Sequence, residues 1–142
     1  MSHNNTVQRA EPGSKRRSKA QATVNVVVGL GAAAFLIGGV WAFFWPENFY
    51  QTVATFPPFN LHLFHDVGAF QLGIGAALLA ALFFRDALLV ALVGGSSGAV
   101  MHAISHLIDR NLGGRASDPW LLGGLAVLLL LATFLRLRTT AP

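Results

Sequence analysis

Residues 24–45 read VNVVVGLGAAAFLIGGVWAFFW, an apolar run that only Asn25 interrupts. A helix needs about 17–25 such residues to cross the hydrocarbon core of a bilayer. Three further runs have the same character. Between residues 67 and 84 the polar side chain is Gln71, and between 87 and 108 the polar residues are Ser96, Ser97, His102, Ser105 and His106. Between 120 and 137 they are Thr133 and Arg136. The chain is 142 residues long, 54% hydrophobic and 11% charged, whereas an ordinary soluble domain is about 25% charged. Four such runs leave almost no sequence for a polar outer face, and the same hydrophobicity excludes a disordered chain.

The expectation is therefore an all-α integral membrane four-helix bundle, with helices at about 24–45, 61–84, 87–109 and 119–137. The transmembrane domain runs over 24–138, preceded by a basic, disordered cytoplasmic tail at 1–23 and followed by a short tail at 139–142. The first run exceeds the roughly 7–15 residues of a signal-peptide core. It reads as an uncleaved helix, with cleavage near Ala32 to Ala34 as the alternative.

Basic residues orient the spans. Arg9, Lys15, Arg16, Arg17 and Lys19 precede the first, Arg85 separates the second from the third, and Arg136 and Arg138 end the fourth. An even number of spans puts all of these on one side, with Arg110 and Arg115 opposite, beside Glu47, Asp66, Asp109 and Asp118. The positive-inside rule then places both termini of a multi-pass membrane protein in the cytoplasm. The net charge of +4 is thus an orientation signal resting on anionic headgroups. No aromatic residue lies among the charges of 1–23, which argues against nucleic-acid binding. With no cysteine, zinc fingers, disulfides, thiol nucleophiles and cysteine-held iron–sulfur clusters are excluded.

Local chemistry marks the helix ends. Asn60 is placed to cap the second span, Asp86 the third, and Asp118 followed by Pro119 the fourth. Gly113 and Gly114 close the segment after the third span. The short Arg85–Asp86 turn makes the second and third spans antiparallel neighbours. Small residues recur at helical spacing: Gly31, Ala34 and Gly38; Ala69, Gly73, Ala76 and Ala80; Ala91, Gly95 and Gly98. Such stripes let helices pack closely in lipid. The loop with Phe49, Tyr50 and Phe56 reads as a headgroup-level aromatic belt, with a short interfacial helix near 47–55.

Packing does not account for the histidines. His62, His65 and Asp66 share a face at the start of the second span, and His102, His106 and Asp109 share one at the end of the third. Topology puts both groups at the outer leaflet, and the neighbour relation brings them together. Histidine and carboxylate ligands without sulfur suit iron, copper, zinc or manganese. The candidate metal ligands are His62, His65, Asp66, His102, His106 and Asp109. A b-type haem between His65 and His102 is a second option, and a proton or quinone site a third. The plain alternative is interhelical hydrogen-bonding glue in a non-enzymatic subunit of a larger membrane complex. No phosphate-cradling loop or serine triad is present, which argues against a nucleophilic hydrolase. Nothing else in the chain decides whether it is an enzyme.

The loop Pro57-Pro58-Phe59-Asn60, the segment Asp66-Val67-Gly68-Ala69-Phe70-Gln71-Leu72-Gly73 and the stretch from His102 to Asp109 resemble the DoxX-like group of small bacterial membrane proteins. The likeness extends over about 24–137. It implies the four-span layout, and because some relatives are tied to membrane redox enzymes it favours a redox or accessory role. The partners expected are the lipid bilayer, a membrane protein or a second copy of the chain, and a quinone.

Overall fold

The computed structural model describes residues 12–140. Among these residues it is all-α: α1 (Pro12–Phe44), α2 (Pro46–Thr52), α3 (Leu61–Ala81), α4 (Leu88–Ile108) and α5 (Asp118–Thr140), with a single 3-10 turn at Arg85–Ala87. Helices α1, α3, α4 and α5 are each long and apolar enough to cross a membrane, the make-up of a multi-pass membrane protein. Their outward faces carry large apolar side chains; Phe70 and Val90 are about three-quarters exposed.

Helix α1 already runs through residues 12–23, well before Val24, and residues 1–11 of the expected tail lie outside the described residues. Lys, Arg, Ala and Gln are strong helix formers and propagate the helix outward from its apolar part. Gln21 bonds Asn25 (Nε2 to Oδ1, 2.8 Å) and the Thr23 hydroxyl donates to the Lys19 carbonyl. At 33 residues α1 is about 50 Å long, well beyond a hydrocarbon core of about 30 Å.

Packing is decided by where backbones approach closest. Helix α1 lies against α3 and α5, α4 lies mainly against α5, and the α3–α4 seam is thinner. A methyl group at Gly39 would stand 2.8 Å from the Leu72 amide nitrogen and 3.0 Å from the Gly68 carbonyl. One at Gly75 would stand 2.9 Å from the Leu36 nitrogen. The face of α3 that packs is therefore Phe64, Gly68, Gly75 and Leu78, which are buried. The expected stripe of Ala69, Gly73, Ala76 and Ala80 is exposed. Two small-residue rows compete on this helix one position apart, about 100° of rotation, and α1 selects the row that its own Gly39 can meet. The stripes on α1 and α4 do pack: Gly31 meets Leu129 of α5, while Gly95 and Gly98 meet Leu78 and Ile74 of α3.

These contacts make α1 antiparallel to α3, and α3 antiparallel to α4. The core is built from Val24, Val28, Phe35, Leu78, Leu88, Leu92 and Leu129. A second cluster of Ala42, Phe49 and Phe64 joins α2 to the ends of α1 and α3. Arg136 Nη1 donates to Gln21 Oε1 at 2.8 Å, tying α5 to α1 at the opposite end.

The caps are correspondingly mixed. Asn60 caps α3, its side chain accepting from the Leu63 amide at 3.2 Å. Asp86 does not cap α4: the 3-10 turn holds it, and the N-cap residue is Ala87, without a side-chain bond. Helix α5 is entered through Ser117, whose carbonyl accepts from the Trp120 and Leu121 amides. The Asp118 carboxylate instead reaches back to the Arg115 amide.

Candidate functional site

The α2 end of the bundle holds a cavity of about 340 Å³, within the range typical of small-molecule sites. Aromatic packing makes its roof. Phe49 of α2 stands edge-on to Trp41 (centroids 5.6 Å apart) and to Phe64 (6.1 Å), and Trp41 Nε1 donates to Asn48 Oδ1 at 2.8 Å. Phe56 continues the roof in the loop that follows and meets the His106 ring edge-on at 5.4 Å.

A second loop clamps the first. Gly114, at φ +79°, donates its amide to the Thr55 carbonyl at 3.2 Å, and the Arg115 guanidinium donates to the Thr52 carbonyl. A side chain at Gly114 would collide with the Phe56 ring, 2.7 Å away. The glycines expected to end the segment thus serve a close crossing of two loops. The Arg115 amide in turn donates to Asp118 Oδ2 at 2.8 Å and fixes that carboxylate at the cavity wall.

Four polar side chains converge on the cavity: His102 and His106 from α4, Asp118 from α5 and Gln71 from α3. The two imidazoles are 5.0 Å apart by centroid. His106 Nδ1 lies 3.8 Å from Asp118 Oδ2, with the two side chains only 15% and 13% exposed. That spacing suits an ion pair when the imidazole is protonated and is too long for a hydrogen bond. His102 sits one turn deeper. With Gln71 and Leu122 it also lines a smaller chamber of about 120 Å³ below the first, so these residues stand between the two spaces. The remaining walls, among them Val53, Leu63, Val67 and Leu121, are apolar.

The structure divides the expected metal set. His62 pairs with Asp66 at 3.5 Å, but the two side chains are 87% and 51% exposed, a pairing that contributes little. His65 rests on Phe43 of α1 at 5.1 Å. Asp109 ends α4 as its C-cap residue. His62, His65 and Asp66 therefore do not join His102 and His106, because α3 turns its packing face to α1. Among the described residues no group of three or more His, Asp or Glu side chains is placed to hold a metal ion. Of the expected haem pair, His65 lies against Phe43 of α1 and His102 lines the cavity.

Two site residues escaped the sequence reading. Asp118 has a sufficient local explanation as a helix cap, although its sequence position puts it at the same end as His106. Gln71 carried a signal of its own, as the polar side chain inside the apolar run 67–84. No protein-family model matches the chain, nor does any curated protein or solved structure.

Proposed function

We propose that this chain is a multi-pass protein of the bacterial cell membrane, with both termini cytoplasmic. In an outer-leaflet cavity it binds a lipophilic molecule with a hydrogen-bonding head, of the quinone class, in a redox or accessory role. The carrying observation is an apolar cavity in which His102, His106, Asp118 and Gln71 converge. A quinone ring offers carbonyl acceptors, which the imidazole and amide N–H groups complement. The aromatic roof and apolar walls take the ring and the head of its tail. A change in ring charge is accompanied by proton movement, and a histidine–aspartate pair beside the ring is suited to supply or accept that proton. The orientation is supported by Lys15, Arg16, Arg17, Lys19 and Arg138, all on helix segments at the end away from α2. The likeness to DoxX-like proteins points to the same redox setting.

Titrating the detergent-purified protein with a short-chain quinone tests the reading, with tryptophan fluorescence as readout because Trp41 packs against Phe49 of the cavity. Saturable quenching is expected. His102→Ala should weaken it about tenfold, the loss of one buried hydrogen bond of about 1.4 kcal/mol, and His62→Ala should leave it unchanged. Non-saturable quenching, or equal effects of the two substitutions, would overturn the proposal. A stoichiometric transition metal lost in His102→Ala would replace it with a metal site.

A further inference from the structure

We propose a second site, independent of the cavity, at the opposite end of the molecule: a groove between α1 and α5 that binds the phosphate headgroup of an anionic lipid. Arg16 and Arg17 from α1 and Arg138 from α5 line this groove, which encloses about 490 Å³, over a floor that includes Phe134 and Leu135. The Arg138 guanidinium lies 4.7 Å over the Phe134 ring, so its charge is held at the groove. One turn further along the helices, the Arg136–Gln21 bond fixes α5 against α1 and sets the groove's width.

Three arginines thus line one groove, and among the described residues no acid lines it with them. Among the described residues the ion pairs are His62–Asp66 and His106–Asp118, both at the other end. Asp86, the described acid at this end, sits in the turn between α3 and α4 and does not line the groove. Gathering like charges costs energy that a bound anion offsets. Guanidinium forks match phosphate oxygens in pairs, and basic pockets between membrane helices are recognised headgroup sites. The apolar floor selects a lipid over free phosphate. It continues along α5 through exposed Phe134 and Leu131, a track for an acyl chain.

The full-length chain in detergent, titrated with phosphatidylglycerol or phosphatidylcholine and read by native mass spectrometry, tests this site. One phosphatidylglycerol should bind in preference to phosphatidylcholine. Arg16→Gln/Arg17→Gln/Arg138→Gln should abolish saturable binding. Arg138→Gln alone keeps the amino-terminal charges that orient α1, and should weaken binding at least about tenfold, as expected for a charge-assisted contact. Lys19→Gln, at the same end but outside the groove, should cost no more than the roughly fivefold of a diffuse surface charge. Equal losses in Lys19→Gln and Arg138→Gln would overturn the proposal in favour of diffuse attraction. Equal binding of phosphatidylcholine, or displacement of the lipid by inorganic phosphate at matching concentration, would also overturn it.

Discussion

Adjacent glycines on α1 should respond to the same substitution in opposite ways. At Gly39 an added methyl would lie 2.8 Å from the Leu72 amide nitrogen, 2.9 Å from its Cγ and 3.0 Å from the Gly68 carbonyl. Two of these are backbone atoms of α3, so relief requires the helices to part by roughly half an ångström. Overpacking of this kind costs about 1–3 kcal/mol, offset by about 1 kcal/mol from replacing glycine with alanine in a helix. Gly39→Ala should therefore be net destabilising by up to about 2 kcal/mol. At Gly38 the methyl would meet only the end of the Gln71 side chain, which can rotate away. Gly38→Ala should then be neutral or stabilising by up to about 1 kcal/mol. The rotation removes the Gln71 amide from the cavity, and the loss of one hydrogen bond of about 0.5–1.5 kcal/mol weakens quinone binding about two- to tenfold. Thermal unfolding in detergent reads the first effect and fluorescence titration the second. Gly39→Ala unfolding at or above the temperature of Gly38→Ala would refute the close α1–α3 seam. Unchanged affinity in Gly38→Ala would remove Gln71 from the site.

Other consequences follow from the clamp and the topology. Gly114→Ala forces a Cβ into a positive-φ position and against Phe56, so it should cost at least about 1–2 kcal/mol, measured by thermal unfolding. Asp118→Ala leaves the Arg115 amide without its acceptor and His106 without its carboxylate. It should cost about 1 kcal/mol and speed limited proteolysis of the 109–117 loop. Because the chain has no cysteine, single substitutions report sidedness. Gln51→Cys should react with an impermeant maleimide in intact cells, and Lys19→Cys only after lysis; the reverse pattern would invert the topology.

The helices themselves were legible because apolar length is dictated by bilayer thickness, and four runs of that length allow few other architectures. Their ends were less so. Nothing apolar marks residues 12–23 as part of α1, since many of the residues that extend it are polar helix formers. The packing face of α3 lies one position away from the expected stripe, because Gly68 and Gly75 stand beside a second row, Ala69, Gly73, Ala76 and Ala80, that holds more small residues. Only the partner, Gly39, distinguishes the rows, and pairing is not written in either helix alone. That one-position error propagated to the site. It carried His62, His65 and Asp66 toward α4 when the structure holds His65 against Phe43 of α1. His102 and His106 were found because imidazoles deep in an apolar helix have no packing reason. Their partners were missed because Asp118 had a sufficient local explanation and Gln71 stood alone.

The central claim, that the cavity around His102, His106 and Asp118 receives a quinone-type molecule, is tested most directly by photolabelling the membrane-embedded protein with a photoreactive short-chain quinone. Peptide mapping should place the label on the cavity walls, namely α2 and the loop through Phe56, the His102–His106 turn, and Leu121 to Leu122. Excess unlabelled quinone should abolish it. Label spread over the exposed apolar residues Phe70, Phe83 and Val90, undiminished by competitor, would contradict the account.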